Sequence, residues 1–334
     1  MVLCVRVKRQ EAESARRKLE AEGVLDNRFA PSRDEHFVFF PVLRVPEGFE
    51  AAELPMPERK PRQRPLDKLL SPSLARKVPH SYDIIGDIAV LEIPPKLASR
   101  AKTVAEALLS SNPHLRLVLK KASVRKGVFR VRELKALAGK GSTETIHNEY
   151  GMRFKLDVAK AFFSPRLASE RQRVASQVSP GERVLVLFAG VGPFAIAIAR
   201  RVPSASVAGV ELNPTACDYF KQNIRLNKCW NAEAVCGDVK EVVPARFASW
   251  ADRVLLPLPK GAGAFLGEAF LAAKPGGIIH FYSFAREEEP FAAAERVIEQ
   301  AASSAGRRVA FLNRKMLLPY APRVVQVCVD FRIS

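Results

Sequence analysis

The stretch from residue 181 onward constrains the fold most. Short apolar runs, RVLVLF (183–188), SVAGVE (206–211), EAVC (233–236), RVLLPL (253–258), GIIHFYSF (277–284) and RVVQVCVDF (323–331), recur between segments of helical periodicity. Strands apolar on both faces, alternating with helices, predict a mostly parallel, doubly wound sheet covered on both sides. The chain ahead of residue 181 is patterned differently. VLCVRV (2–7) and HFVFFPVL (36–43) predict strands around a helix at 10–22, giving a small N-terminal α/β domain over residues 1–55. Prolines then crowd the chain at 46, 55, 57, 61, 65, 72 and 79, and residues 56–80 read as a basic linker. A middle α/β domain follows at 81–180. There YDIIGDIAVLEI (82–93) predicts two strands turning at Gly86-Asp87, ahead of a helix near 96–111, a strand at 115–120 and a helix at 166–178.

Charge narrows the partner. Fifty-three Lys and Arg against 35 Asp and Glu leave +18, a surplus that a polyanion offsets. Between Arg116 and Lys140 stand nine basic residues and one acid, Glu133, so the middle domain is expected to face nucleic acid. No run of eighteen uncharged apolar residues occurs and the N-terminus turns charged within eight residues. The expectation is a cytoplasmic protein without a membrane span. Five cysteines, Cys4, Cys217, Cys229, Cys236 and Cys328, are scattered without a CxxC pair. They are expected to be small buried hydrophobes, with neither a zinc site nor a disulfide framework.

The segment VLVLFAGVGPFAIAIA (184–199) carries the cofactor signal. An apolar strand runs into a turn, Phe188-Ala189-Gly190-Val191-Gly192, and then a helix. The glycines permit a tight turn and close backbone approach. Twenty-one residues beyond Gly190 the next strand ends on Glu211, followed by Leu212 and by Asn213-Pro214, an N-cap and first helical residue. A carboxylate at that strand end can accept both hydroxyls of a ribose. Asp238, closing the third strand, is placed for an adenine amino group. Two plainer readings stand beside these: Asp238 and Glu241 fit a capping box, and Glu211 fits a polar strand end. The turn lacks the third glycine that a pyrophosphate wants, so S-adenosylmethionine (AdoMet) fits better than a dinucleotide. The expected fold is therefore a class I, Rossmann-like methyltransferase domain at 181–334, behind the middle and N-terminal domains.

FRVREL (129–134), TIHNEYGMRFKLDVAKAFFSPRLASER (145–171), FAGVGPF (188–194), ELNP (211–214), GDVKEV (237–242), LPK with FL (258–266) and YAPR (320–323) occur in order. Together they resemble the archaeal and eukaryotic tRNA (guanine-N1)-methyltransferases that act at position 37, beside the anticodon. The resemblance spans nearly the whole chain and implies tRNA as partner, AdoMet as donor, no metal, and a monomer. It implies Glu170 as the base for the guanine N1 proton and Arg130 as support for O6. It adds Pro259 to the cofactor wall, and Arg125, Lys126, Arg132, Arg166, Arg171, Tyr320 and Arg323 as RNA contacts. From the residues alone, Glu170 reads as an exposed helix residue paired with Arg166 at i,i+4.

Several positions depart from the family pattern. Pro257 stands where the family has an Asn near the target base, and Val186 where many methyltransferases have an acid. Phe162 and Phe163 replace an aromatic hydroxyl, and Leu317-Leu318-Pro319 stand where a Lys is common. Two other activities stay open. One is a paralogue that also, or instead, methylates a tricyclic wyosine intermediate or transfers the aminocarboxypropyl arm of AdoMet. The other is a non-catalytic RNA-binding protein.

Overall fold

In the N-terminal unit, Met1–Lys68, β1 (Val2–Lys8), α1 (Ala12–Ala21), β2 (Ser32–Arg33), β3 (Phe37–Pro41) and β4 (Glu50–Leu54) follow in sequence. The computed structural model describes residues 1–58, 65–78, 82–123, 129 and 131–334. Strand order is β2-β3-β1-β4, with all pairs antiparallel. Helix α1 lays Ala15 and Leu19 on Val5, Val7, Phe40 and Val42, while Arg16 pairs outward with Glu13 and Glu20. Strand β4 is absent from the sequence reading because EAAEL has no β-branched or aromatic residue. Its pairing with β1 supplies what its own propensity lacks. Within the expected 56–80 linker, Met56 is buried and Glu58 bridges Phe29. A 3-10 turn at Pro65–Leu69 and α2 (Pro72–Ala75) also lie there, and Leu66, Leu70 and Val78 are buried.

In the second unit, Leu69–Ser334, α2 is followed by β5 (Asp83–Ile85) and β6 (Ile88–Leu91), a hairpin about Gly86-Asp87. Helix α3 (Ala101–Ser111) crosses to β7 (Leu117–Lys121), parallel to β6, and β8 (Leu134–Gly139) completes a four-stranded sheet. A separate hairpin, β9 (Glu144–Glu149) with β10 (Met152–Asp157), precedes α4 (Ala168–Ala175). Its residues alternate polar and apolar but fall in a stretch rich in charge, and the sequence reading placed no strand there.

The C-terminal half is the expected doubly wound sheet. Its elements are β11 (Arg183–Leu187), α5 (Pro193–Arg201), β12 (Ser206–Glu211), α6 (Pro214–Leu226), β13 (Ala232–Cys236), α7 (Val239–Arg246), β14 (Ala251–Leu256), α8 (Leu266–Ala272), β15 (Ala273–Arg286), α9 (Ala292–Ser304), β16 (Val309–Ala321) and β17 (Val324–Ile333). Strand order is β13-β12-β11-β14-β15-β17-β16, parallel except for β17, which runs antiparallel to β15 and β16. Order reverses between β11 and β14, so the crevice where such sheets bind ligands opens at the carboxyl ends of those two strands, next to the end of β12. Edge strand β16 was not read from sequence. It carries three register shifts against β17, and such bulges blunt an exposed edge.

One expectation about the cysteines fails. Cys4, Cys229 and Cys328 are buried thiols, but Cys217 of α6 and Cys236 of β13 form a disulfide. Their separation of 19 residues carries no local signature, and the α6–β13 connection brings them together. Closing a loop of that size removes denatured-state freedom worth about 3 kcal/mol. The urea midpoint is therefore expected to drop when reductant is added and to become reductant-independent in Cys236→Ser. Identical midpoints with and without reductant in the unmodified chain would contradict this.

Candidate active site

The turn after β11 is built as the cofactor reading requires. Gly190 and Gly192 have φ of 58° and 84°, and a Cβ on Gly192 would lie 2.0 Å from the Phe220 ring. Only glycine fits there. Phe188 also takes a positive φ, and its ring meets Phe265 edge-on at 4.7 Å. Ala189 and Val191 are buried, and Val186 belongs to the same apolar core. Glu211 closes β12 with its Oε2 accepting from the Gly190 N–H (2.7 Å) and its Oε1 from the Asn213 N–H (2.8 Å). A carboxylate has about four acceptor positions, so capacity beyond these backbone bonds can serve ribose hydroxyls. Burial pushes the Glu211 carboxyl above its ordinary range, partly offset by those backbone N–H groups. Leu212 is 40% exposed beside it, an apolar surface against which a base can lie. Asp238 is half-buried and caps α7 by accepting from the Lys240 N–H at 2.9 Å. Asn213 caps α6, with Pro214 at the first helical position, as expected. The residues present thus fit AdoMet, with Pro259 half-buried at the exit of β14.

Glu170 lies in the first turn of α4, 2% exposed. It does not pair with Arg166. That residue sits in the 3-10 turn before the helix, where i,i+4 geometry does not hold, and reaches Asp83 instead (2.6 Å). Glu170 is held by Arg173, whose Nε donates to Oε2 (2.7 Å) and Nη2 to Oε1 (2.6 Å), and by the Tyr282 hydroxyl, which donates to Oε1 (2.8 Å). Tyr282 packs 5.8 Å from Phe194, so two contacts connect Glu170 to the start of α5 and the glycine turn. Burial pushes the Tyr282 hydroxyl well up, keeping it a donor. None of Arg173, Tyr282, His280 or Asp330 was singled out from sequence. The available signals were His280 and Tyr282 two apart in an apolar strand, and one acid in RVVQVCVDF.

The expected RNA contacts divide. Arg171 is 1% exposed and bound through Nε and Nη2 to Glu149 and to the Ser164 carbonyl. It is a core ion pair and not an RNA contact, because α4 is buried on the face that carries it. Arg116, counted in the basic run, is also committed, to Asp87 and to the Ser142 and Glu144 carbonyls. Arg132 is half-buried in a cleft shared with Asp83, Lys121, Phe162 and Phe163. Tyr320 is 60% exposed and stacks on Phe284 at 3.9 Å, with Arg323 exposed in the turn between β16 and β17. Arg125, Lys126 and Arg130 lie outside the described residues. No described helix is long and apolar enough to cross a membrane.

The model of the TRM5/TYW2 methyltransferase domain matches residues 145–310, that of the tRNA methyltransferase 5 N-terminal domain residues 4–50, and that of the TYW2 N-terminal domain residues 63–143. The tRNA (guanine(37)-N(1))-methyltransferase Trm5b of Pyrococcus abyssi is 40% identical over 336 residues, covering 100% of both chains. The chain belongs to the tRNA (guanine-N1)-methyltransferase family. Among solved structures, the complex of aTrm5 with tRNALeu matches at a TM-score of 0.72 and 30% identity, over 99% of this chain and 100% of that one. A tRNA(Phe) (4-demethylwyosine(37)-C(7)) aminocarboxypropyltransferase from Pyrococcus horikoshii is 32% identical over 279 residues, 82% of this chain and 97% of its own. As a family member the protein is an enzyme, a methyltransferase whose donor is AdoMet.

If Glu211 accepts the two ribose hydroxyls, Glu211→Ala weakens AdoMet by roughly 1–3 kcal/mol, measured by calorimetry. Only the ionised carboxylate offers both oxygens as acceptors with no competing O–H, and burial raises its titration above the ordinary range. AdoMet affinity is therefore expected to fall with decreasing pH, starting above the ordinary carboxylate range, and this pH dependence should vanish in Glu211→Gln. Unchanged affinity in the Ala variant would remove Glu211 from the site.

Proposed function

We propose that this enzyme methylates N1 of guanosine at tRNA position 37, with Glu170 taking the N1 proton and Arg130 supporting O6. The observation that carries the reading is the state of Glu170. Of about four acceptor positions on its carboxylate, the described residues fill three and leave one on Oε2. N1 of guanine bears a proton and becomes nucleophilic only as that proton leaves. AdoMet supplies a methyl already activated on a sulfonium, so the chain's own task is proton removal and placement. Because Glu170 is nearly sealed, entry of a flipped base must displace the side chains over it. The full-length match to a guanine-N1 enzyme supports this choice of target.

Pro257 favours a second reading, in which a wyosine-type base at the same position is also accepted. It centres a tight turn in which the Leu258 N–H donates to the Leu256 carbonyl (2.8 Å). Its ring offers no side-chain hydrogen bond to a base edge, so a site lacking that check discriminates less against a modified guanine.

Glu170→Gln keeps size and polarity but removes the proton acceptor. Its single-turnover rate on unmodified tRNA is expected to fall about 10²–10⁴-fold, with tRNA affinity nearly intact. A rate near that of the unmodified enzyme would return Glu170 to a structural role. Nucleoside analysis of the product separates N1-methylguanosine from a wyosine-type product.

The N-terminal unit is proposed to read the folded body of tRNA, since its sheet is complete without the catalytic half. An enzyme beginning near residue 69 should bind AdoMet normally but methylate full-length tRNA less efficiently at low enzyme concentration. Unaltered kinetics at every concentration would make the unit a stabilising appendage.

A further inference from the structure

Behind Glu170 lies a chain of buried charge that proton removal as described does not use. Arg173 faces two carboxylates at once. Its Nε and Nη2 serve Glu170, while Nη1 donates to Asp330 Oδ2 (2.6 Å) and Nη2 also reaches Asp330 Oδ1 (3.3 Å). Asp330 in turn meets His280 Nδ1 (2.6 Å), the Asn313 amide (3.2 Å) and the Cys328 thiol (3.2 Å). His280 Nε2 lies 2.8 Å from Arg253 Nη1, and Arg253 Nε donates to Glu182 at 2.9 Å.

The proton positions follow from donor chemistry. A guanidinium can only donate, so His280 Nε2 must accept, and the single ring proton sits on Nδ1, aimed at Asp330. Burial lowers His280 as well, so the ring is neutral. Burial works against the charge on Asp330, yet the His280 N–H and the Arg173 guanidinium hold it ionised. Cys328 is kept a neutral thiol by burial. His280, Cys328 and Asp330 have their ligand atoms within 4.8 Å of one another, the spacing of a metal site. The place a cation would take is filled: Arg173 bonds both Asp330 oxygens and lies 3.4 Å from Cys328 Sγ.

We propose that Asp330, acting through Arg173, is a positioning residue for Glu170, locking the guanidinium so that the open acceptor position on Oε2 keeps one direction. This rests on the reading of Glu170 as the proton acceptor. A guanidinium gripped on one side only can swing about its side-chain torsions. Gripped on both sides by bidentate carboxylates, its plane is fixed. An apolar core at this place would serve stability as well or better, because burying charged groups is costly even when they are paired. What an apolar core could not do is orient a carboxylate, and proton transfer depends steeply on that orientation.

The test is a double-mutant cycle read by single-turnover methyl transfer on full-length tRNA, with AdoMet and tRNA affinities and melting temperature measured in parallel. Asp330→Asn is expected to slow transfer by roughly tenfold or more while both affinities stay within about twofold. In the Glu170→Gln background, Asp330→Asn should cause no further loss, because the group it positions is gone. The same fractional loss in both backgrounds, or an unmodified rate in Asp330→Asn, overturns the proposal. If Asp330→Asn does not fold, Arg173→Lys, which keeps the cation but lacks the fork, carries the same cycle with the same outcomes. An unmodified rate in Glu170→Gln itself overturns the underlying reading of Glu170, a result distinct from either of these.

Discussion

An ionised carboxylate cannot be taken out of water alone, and Glu170 is almost wholly out of water. Much of the C-terminal architecture answers that requirement. Helix α4 supplies Arg173 three residues on, β15 supplies Tyr282 and His280, β17 supplies Asp330, and β14 supplies Arg253. Because β17 runs antiparallel beside β15, His280 and Asp330 are register partners, so their side chains project from adjacent strands at one level. The insertion of β17 into the sheet is thus tied to the charge balance under the active site as well as to closing the core.

The cofactor turn is bound to the rest of the second unit by three asparagines. Asn223 accepts from the Lys155 N–H (2.7 Å) and donates to the Lys155 and Val191 carbonyls (3.0 Å each). Asn227 makes the same two-way match with Arg153, at 2.8 and 2.7 Å. Four residues apart, one on α6 and the other at its C-cap, the two amides imitate the edge of a strand and dock β10 onto the helix. Asn213 caps α6 and donates to the Lys160 carbonyl (2.8 Å), just ahead of the segment that leads to Glu170. The backbone that shapes the glycine turn and the backbone that leads to Glu170 are therefore linked through one helix.

This division explains what sequence could and could not reveal. The alternation after residue 181, the glycine turn and the acid at the end of β12 are local patterns, and each appears in the structure where its residues predict it. Strand β4 and edge strand β16 were invisible because their stability comes from partners distant in sequence. Glu170 shows the same limit more sharply. Its helical neighbourhood, E-R-Q-R, reads as a solvated charged surface, and partners on β9, β15 and β17 turn that surface inward. Family resemblance identified the residue; nothing local described its environment. The Cys217–Cys236 pair belongs to the same class, since the sheet order and not the spacing brings it together.

The large positive charge must be read in the same light. Arg116, Arg171, Arg173 and Arg253 are spent on internal carboxylates and carbonyls, so the count of basic residues overstates the surface offered to RNA. Each of them, however, is matched against an acid that the same network consumes: Asp87, Glu149, Asp330 and Glu182. Arg173 also takes up Glu170, so this pairing removes cations and anions together and does not diminish the net surplus of 18 on the groups that remain. The exposed field is thus more one-sided than the composition implies. A polyanionic partner answers such a surface by releasing counterions, so binding to tRNA should weaken steeply with salt while the buried network under Glu170, screened far less, holds its geometry.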